Sequence, residues 1–216
     1  MYRFIFQKLM IFFPLFLLGT AQAQDYQVGF SLGAAFYQGD MTKGLVDFEE
    51  FNVAYGLFFR RHVSDKWAAR VNWSRGKLSG DDRNSNTRRG FRFNSTFNEF
   101  SLLVEYNLIG GYTYSYGRGS NDFFGLYLMG GGALATLNAK LASKLGEQEP
   151  IPEFTDVTLS MPLGGGMRFN IGERTSIEGE FGGRITLTDR IDGIQSGARD
   201  YYFVGGINVT LILGDY

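Results

Sequence analysis

Charged residues that could pair or carry protons recur at alternate positions along this sequence. In the stretch TSIEGEFGGRITLTD at residues 175–189, Glu178, Glu180 and Arg184 fall on even positions and the apolar residues on odd ones, which is the period of a β-strand. The same alternation continues in other segments, and their polar faces, together with this one, carry four arginines and four glutamates. They are Arg60, Arg70, Arg168, Arg184, Glu99, Glu105, Glu178 and Glu180.

Two kinds of chemistry would use these eight residues if one narrow space enclosed them. An isolated buried charge costs several kcal/mol, so we expect the positive and negative side chains to pair as a neutral plug that leaves no open pore. The alternative is a proton path or a gated channel, because ionisable residues inside membrane proteins serve such pathways.

Catalytic residues are not indicated elsewhere in the chain. An enzyme that modifies membrane lipids would need a site centred on histidine or serine near the lipid headgroups. The single histidine, His62, lies two residues before a predicted turn at Ser64, so we interpret it as a surface residue at the periplasmic rim. The sequence therefore predicts no enzyme, no cofactor and no small-molecule substrate.

Two groups of residues in predicted loops could bind ions. Asp81 with Asp82, or Asp189 with Asp192, could hold calcium, but the spacing matches no defined calcium loop and favours solvated turn residues. Basic residues concentrate in one predicted loop, where they could bind lipopolysaccharide phosphates or simply be solvated. These candidate residues are Arg83, Arg88, Arg89 and Arg92, preceded by Arg75 and Lys77.

The start of the chain and its composition limit the class of protein. Arg3 and Lys8, an apolar run and an Ala-Gln-Ala cleavage site predict a signal peptide at 1–23, which leaves 24–216 as a single domain. The formal net charge of −1 argues against nucleic-acid binding, and the absence of cysteine excludes disulfides. No later stretch is long and apolar enough for a membrane helix, so any membrane crossing must use strands.

Eight segments of alternating residues, with no helical period between them, predict the fold. Short turns at 64–66 and 171–175 alternate with long connections at 39–50, 78–97, 137–156 and 188–200, while the linker at 109–122 is long for its side. Both faces of 123–136 are apolar or glycine, which leaves its register open. We therefore predict an all-β, eight-stranded antiparallel up-and-down transmembrane β-barrel of outer-membrane type. Its long loops would lie outside the cell and both mature termini in the periplasm.

The sizes of the side chains on the two faces indicate which face is inside. A soluble eight-stranded barrel would point bulky apolar residues inward, whereas here the polar face is mostly Gly, Ser, Ala, Thr and Asn, which suit a narrow lumen. Outward aromatic residues also gather near the segment ends, as in the two aromatic girdles of a membrane barrel. They are Phe59, Trp67, Tyr106 and Phe169 on the short-turn side, and Phe36, Phe51, Trp73 and Tyr201 on the loop side.

Four stretches together cover most of the chain after the signal peptide and carry a family resemblance. They are GLFFRRHVSDKWAARVNWSRGKLSGDD at 56–82, FNEFSLLVEYNL at 97–108, PLGGGMRFNIGERTSIEGEFGGRITLTDRID at 162–192 and YYFVGGINVTL at 201–211. The chain resembles the PorG-like family of outer-membrane barrels, with a DUF6089-type domain, associated with the type IX protein secretion system. The resemblance implies a non-enzymatic barrel that contacts a periplasmic ring of lipoproteins.

The partner contact that this resemblance implies would use the periplasmic side of the barrel. The long linker at 109–122 is our candidate surface, because it carries Tyr112, Tyr114 and Tyr116 and tyrosine is enriched in interfaces. The alternative is a stand-alone structural or lipopolysaccharide-interacting surface barrel, since both kinds of barrel obey the same folding physics. Lipid of the outer membrane is a partner in either case.

Overall fold

The computed structural model describes residues 26–38, 52–81, 91–110, 112–113, 120–121, 123–143, 154–186 and 201–213. In these ranges the chain forms ten strands: β1 (Tyr26–Gln38), β2 (Asn52–His62), β3 (Trp67–Asp81), β4 (Phe91–Ile109), β5 (Tyr112–Thr113), β6 (Ser120–Asn121), β7 (Phe124–Ser143), β8 (Phe154–Asn170), β9 (Thr175–Thr186) and β10 (Tyr201–Leu213). Within them no helix is long and apolar enough to cross a membrane. The predicted signal peptide lies outside the described residues.

Eight of the strands close into one barrel in the order β1-β10-β9-β8-β7-β4-β3-β2. Every neighbouring pair is antiparallel, and the first and last strands complete the circle with Tyr26 opposite Leu213. The turns at 63–66 and 171–174 lie at one end, which we name the short-turn end; the opposite end is the long-loop end. This is the predicted eight-stranded up-and-down barrel, and the prediction is confirmed.

The seam between β1 and β10 brings two backbones unusually close. Gly33 pairs with Gly206 across this seam. A Cβ atom added to Gly33 would lie 2.1 Å from the carbonyl oxygen of Gly205, and one added to Gly206 would lie 2.5 Å from that of Leu32. Only glycine allows this approach, so the two glycines position the closing pair of strands.

The apolar face of the strands lies outside and the polar face inside, as the side-chain sizes predict. Leu32 on β1 is 55% exposed on the outer face, whereas its neighbours in the strand point into the lumen. The pattern also settles the register of β7, where Tyr127 and Met129 are buried inside and Leu128 and Leu134 lie outside. An apolar exterior around a polar interior is typical of a barrel that crosses a lipid bilayer.

Aromatic rings pair on the outer face near both ends of the barrel. At the short-turn end, Trp67 and Tyr106 have ring centroids 4.6 Å apart, and Phe124 and Phe169 lie 5.4 Å apart. The predicted girdle at this end is therefore present. At the long-loop end, Tyr55 packs edge-on against Trp73, at 6.1 Å, and Phe181 stacks on Phe203.

Of the predicted loop-side girdle, one member is covered and another lies outside the described residues. Phe36 keeps its outward position in the alternation of β1 but is only 9% exposed, so it is covered rather than presented to lipid. Phe51 lies outside the described residues. Tyr201 is exposed on the outer face at the start of β10, as predicted.

The predicted loops at 78–97 and 137–156 are too long. β3 continues to Asp81 and β4 begins at Phe91, and β7 and β8 likewise extend into the second predicted loop, to Ser143 and from Phe154. The extensions pair in continuous register, for example Leu78 with Ser95. The error arose because the alternation inverts there: apolar residues turn inward and polar residues outward, so the segments no longer resemble membrane-crossing strands.

The inverted segments form an apolar layer that fills the lumen near the long-loop end. Its fully or almost fully buried members are Ala35, Ala54, Leu78, Phe97, Leu137 and Tyr202. The rings of Phe97 and Tyr202 lie 5.4 Å apart across the lumen. This layer lies between the long-loop end and the charged residues deeper in the barrel.

The linker between β4 and β7 contains a small hairpin at the short-turn end. The register shifts between Asn107 and Ile109, and Gly110 follows with a positive φ of 61°, a conformation that favours glycine. β5 and β6 then pair with each other, Tyr112 opposite Asn121. The predicted 109–122 linker is therefore partly a two-stranded hairpin.

Candidate functional site

Three arginines and three glutamates fill the lumen between the apolar layer and the short-turn end. We name this group the lumen network; its members are Arg60, Arg70, Arg168, Glu105, Glu178 and Glu180. They come from β2, β3, β4, β8 and β9, so the network joins strands from around the barrel. Five of the six are buried, and the side chain of Glu180 is 14% exposed.

Glu178 is the centre of the lumen network. Arg60 donates two hydrogen bonds to it in a bidentate arrangement, from Nη1 to Oε1 at 2.7 Å and from Nη2 to Oε2 at 2.8 Å. Arg168 donates from Nε to Oε1 at 2.6 Å. The Tyr127 hydroxyl lies 3.1 Å from Oε2. Both carboxylate oxygens are thus used by charged donors, the strongest kind of hydrogen bond in proteins.

The other two glutamates connect the remaining charges. Nε of Arg60 lies 2.8 Å from Oε2 of Glu105, and Arg168 approaches the same oxygen at 3.6 Å. Arg70 binds Glu180 at 2.5 Å and approaches Glu105 at 3.4 Å. Each arginine therefore contacts two glutamates, so the loss of a single contact leaves no arginine of the network without a carboxylate.

Uncharged side chains surround the network and complete its contacts. Gln27 accepts a hydrogen bond from Arg60 at 2.8 Å, and Asn208 donates one to Glu180 at 3.1 Å. The guanidinium carbon of Arg70 lies 3.7 Å from the ring centroid of Phe58, a cation–π contact. These neighbours hold the long side chains in one arrangement across the lumen.

A second, smaller group of charges lies closer to the apolar layer. Nε of Arg184 is 3.5 Å from Oε1 of Glu99, and Arg184 also donates to the carbonyl oxygen of Gly182 at 2.9 Å. The buried Tyr202 hydroxyl donates to the other oxygen of Glu99. The structure thus brings all eight sequence-predicted charges into the lumen, as one group of six and one pair.

Each group is electrically balanced, with three charges of each sign in the network and one of each sign in the pair. Balance matters because removing one partner of a buried ion pair leaves an uncompensated charge, at a cost of about 3–5 kcal/mol. The arrangement fixes the positions of strands that are distant in sequence. It has the chemistry of a packed polar core.

A small cavity lies between the two groups of charges. It has a volume of about 30 Å³, and its lining includes Arg70, Ser74, Asn72 and Arg184. Within the described part of the chain, Ser74 Oγ and Arg70 Nε have no hydrogen-bond partner. A space of this size is large enough for water to reach these two groups.

Comparison with known proteins places the chain in a family and supports the fold. A family model described as a domain of unknown function, DUF6089, matches residues 6–210. The chain belongs to the DUF6089 family. No curated protein sequence matches it.

The DUF6089 barrel is similar to several solved structures. The crystal structure of Neisserial surface protein A, NspA, is 9% identical, with 88% of this chain and 97% of that chain covered and a TM-score of 0.55. Ail of Yersinia pestis is 10% identical, covering 86% and 97%, with a TM-score of 0.48. A major outer membrane protein from Thermus thermophilus is 11% identical, covering 86% and 98%, also at 0.48. The likeness to NspA shows the fold alone: a closed eight-stranded barrel of the outer-membrane kind.

The prediction for the single histidine of this DUF6089 chain is wrong. His62 is only 4% exposed and points into the lumen, not onto the surface. β2 continues through Arg60 to His62, so the two-residue period places both side chains on the inner face. Its partner in the ladder, Ala68, is small and leaves room for the imidazole inside the barrel.

Several lumen residues that contact the charges were not singled out from the sequence. Tyr127 lies on β7, whose two faces are both apolar or glycine, and Phe58 interrupts the small-residue face of β2. Gln27 is an uncharged residue on the inner face of β1 and is buried there. For Phe58 and Gln27 the available signal is parity, because both stand at inward positions of their strands; for Tyr127 the sequence of β7 carries no such signal.

The structure describes few of the remaining candidate residues. Of the three linker tyrosines, Tyr112 lies in β5, while Tyr114 and Tyr116 lie outside the described residues. Arg92 lies in β4 opposite Asp81 of β3. The candidates outside the described residues are Arg83, Arg88, Arg89, Asp82, Asp189 and Asp192. In the described part of the chain, no group of three or more His, Cys, Asp or Glu residues could hold a metal ion.

Proposed function

We propose that this DUF6089 chain is a closed, non-enzymatic outer-membrane barrel that anchors a component of the type IX protein secretion machinery. The observation that carries the proposal is the filled lumen: balanced ion pairs and an apolar layer follow one another along the barrel axis. The cavity between the two groups of charges has a volume of only about 30 Å³. A barrel filled in this way offers no path for a substrate and is suited to a rigid membrane anchor.

The proposed orientation places the short-turn end and both mature termini in the periplasm. β1 begins and β10 ends at that end, where Tyr26 pairs with Leu213. Residues 1–23 would direct export and be removed. Short turns on the periplasmic side and longer connections outside the cell are the usual asymmetry of bacterial outer-membrane barrels.

The proposed partner is a periplasmic ring of lipoproteins, which the sequence resemblance implies. The β5–β6 hairpin is the candidate contact, because it lies at the short-turn end and interrupts the linker between β4 and β7. Tyr112, Tyr114 and Tyr116 supply the kind of side chain that protein interfaces favour.

Affinity purification from solubilised outer membranes tests the proposal. Tagged wild-type protein should recover periplasmic ring lipoproteins, identified by mass spectrometry. Replacing 112–118 with a Gly-Ser linker should abolish that recovery while the barrel stays inserted. Replacing the turn at 172–174 in the same way is the matched control and should retain the partner. Recovery that persists without the hairpin tyrosines, or no ring lipoprotein with the wild type, contradicts the proposal.

A second candidate function is a stand-alone surface barrel that binds lipopolysaccharide. The observation that favours it is the outward orientation of Arg75 and Lys77 on β3, both exposed near the long-loop end. The sequence continues with Arg83, Arg88 and Arg89. Purification of the barrel alone, intact and inserted, would favour this candidate over the secretion role.

A further inference from the structure

The outer face of β3 and β4 changes from apolar to polar within one row of the sheet. Trp73 of β3 pairs with Phe100 of β4, and these side chains are 37% and 49% exposed on the outer face. The next outward row toward the long-loop end pairs Arg75 with Asn98, and the row after it pairs Lys77 with Thr96. The exterior thus passes from aromatic rings to cations, amides and hydroxyls.

The inner face of the same two strands changes in the opposite sense. Ser74 pairs with Glu99 on the inside, whereas Leu78 and Phe97, nearer the long-loop end, are fully buried. A soluble structure buries apolar residues and exposes polar ones, while a membrane-crossing barrel does the reverse. The inversion therefore marks the level at which the outer surface leaves the hydrocarbon and meets the lipid headgroups.

The two cations at this level have no partner of opposite charge within the described part of the chain. Arg75 and Lys77 are both exposed and stand two residues apart on one face, about 6.6 Å along the strand. A phosphate group could reach both. Amide and hydroxyl groups of Asn98 and Thr96 lie beside them on β4.

At the rows of Arg75 and Lys77, the outward positions of the neighbouring strands β4, β7 and β8 hold uncharged residues. At the same rows, β7 presents Thr136 and Asn138, and β8 presents Thr155. The hydroxyl of Thr155 donates to the amide oxygen of Asn138 at 2.7 Å, so these polar groups pair with each other. A non-specific attraction to an anionic surface would not require two cations side by side next to a row of aromatic rings. The arrangement therefore favours a defined site for one lipid.

We propose that Arg75 and Lys77 bind a phosphate group on the head of an anionic lipid of the outer leaflet. The guanidinium binds phosphate in bidentate fashion and the ammonium adds a point charge. Trp73 and Phe100 lie directly below and contact the acyl chains of the same lipid. The site rests on the orientation proposed above and not on the secretion role.

Lipid binding by a charge-neutralised variant tests this site. The probe is lipid A with two phosphates, titrated into detergent-solubilised full-length protein and measured by native mass spectrometry. The variant is R75Q combined with K77Q. The matched control is K66Q combined with R174Q, which removes two exposed cations from the short-turn end. Altered migration of unheated samples in SDS gels verifies that each barrel is folded.

The R75Q/K77Q variant should bind lipid A about tenfold more weakly than the wild type, which corresponds to about 1.4 kcal/mol. The control should stay within about twofold of the wild type, and lipid A stripped of its phosphates should bind all three proteins equally. Equal binding of lipid A by R75Q/K77Q and wild type would overturn the site, as would an equal loss in the control. R75Q/K77Q should still recover ring lipoproteins in the affinity purification, so a loss of lipid A binding can be distinguished from a failure of the secretion proposal.

Discussion

Glu178 allows the most demanding test of the lumen network, because it is the centre of the network and its carboxylate has no access to solvent. Its carboxylate accepts hydrogen bonds from Arg60, Arg168 and Tyr127, and the residue is fully buried. Glu178→Gln keeps the size of the side chain but leaves three arginines opposite two glutamates. Removing one partner from a buried ion pair costs about 3–5 kcal/mol.

We expect Glu178→Gln to lower the free energy of unfolding by about 3 kcal/mol, the lower end of that range, because the amide oxygen still accepts some of the hydrogen bonds. Urea unfolding of the barrel in phospholipid vesicles measures it, followed by the fluorescence of Trp67 and Trp73, the two tryptophans of the chain. Glu173→Gln in the exposed 171–174 turn is the control and should change stability by less than about 0.5 kcal/mol.

A second variant separates charge imbalance from lost packing. Arg168→Gln combined with Glu178→Gln returns the network to two charges of each sign. This double variant should be more stable than the sum of the two single changes predicts, with a coupling of about 1–3 kcal/mol. If Glu178→Gln is as stable as Glu173→Gln, or if the double variant is simply additive, the network does not work as described.

Two further substitutions probe the seam and the hydroxyl donor of the lumen. Gly33→Ala should destabilise the barrel by about 1–3 kcal/mol, because its Cβ would meet a backbone carbonyl. Gly179→Ala on the open outer face is the control and should cost less than about 0.5 kcal/mol. Equal effects of the two substitutions in the same unfolding assay would contradict the close approach. Tyr127→Phe should cost about 1 kcal/mol, since its hydroxyl lies 3.0–3.1 Å from two carboxylates of the network. Tyr55→Phe on the outer face is its control, and a loss as large there would refute that role.

The barrel could be predicted from the sequence because one physical rule determines the residue pattern of most of its strands. Where a strand crosses the membrane, lipid outside and a narrow lumen inside force large apolar and small polar residues to alternate, as in Leu32 and Gly33. The inward charges follow from the same parity, which is why all eight could be assigned before any contact was known. Their pairing could not be assigned, because it depends on the register and shear of eight strands.

The misjudged regions are those where this rule reverses or gives no signal. Leu78 and Phe97 point inward beyond the membrane level, so the inverted pattern was interpreted as a loop. Tyr127 lies on a strand with glycine or apolar residues on both faces, so the alternation does not indicate which side chains point inward. His62 was judged by its distance from a turn, although its even position in β2 already placed it inside.

Single-channel recording in planar lipid bilayers tests the central claim, that the lumen is closed, most directly. Folded wild-type protein should insert without producing conductance steps, because the ion pairs and the apolar layer fill the path between the two ends. Stable ohmic steps from the wild type would contradict the account, since they would show an open pore through the barrel.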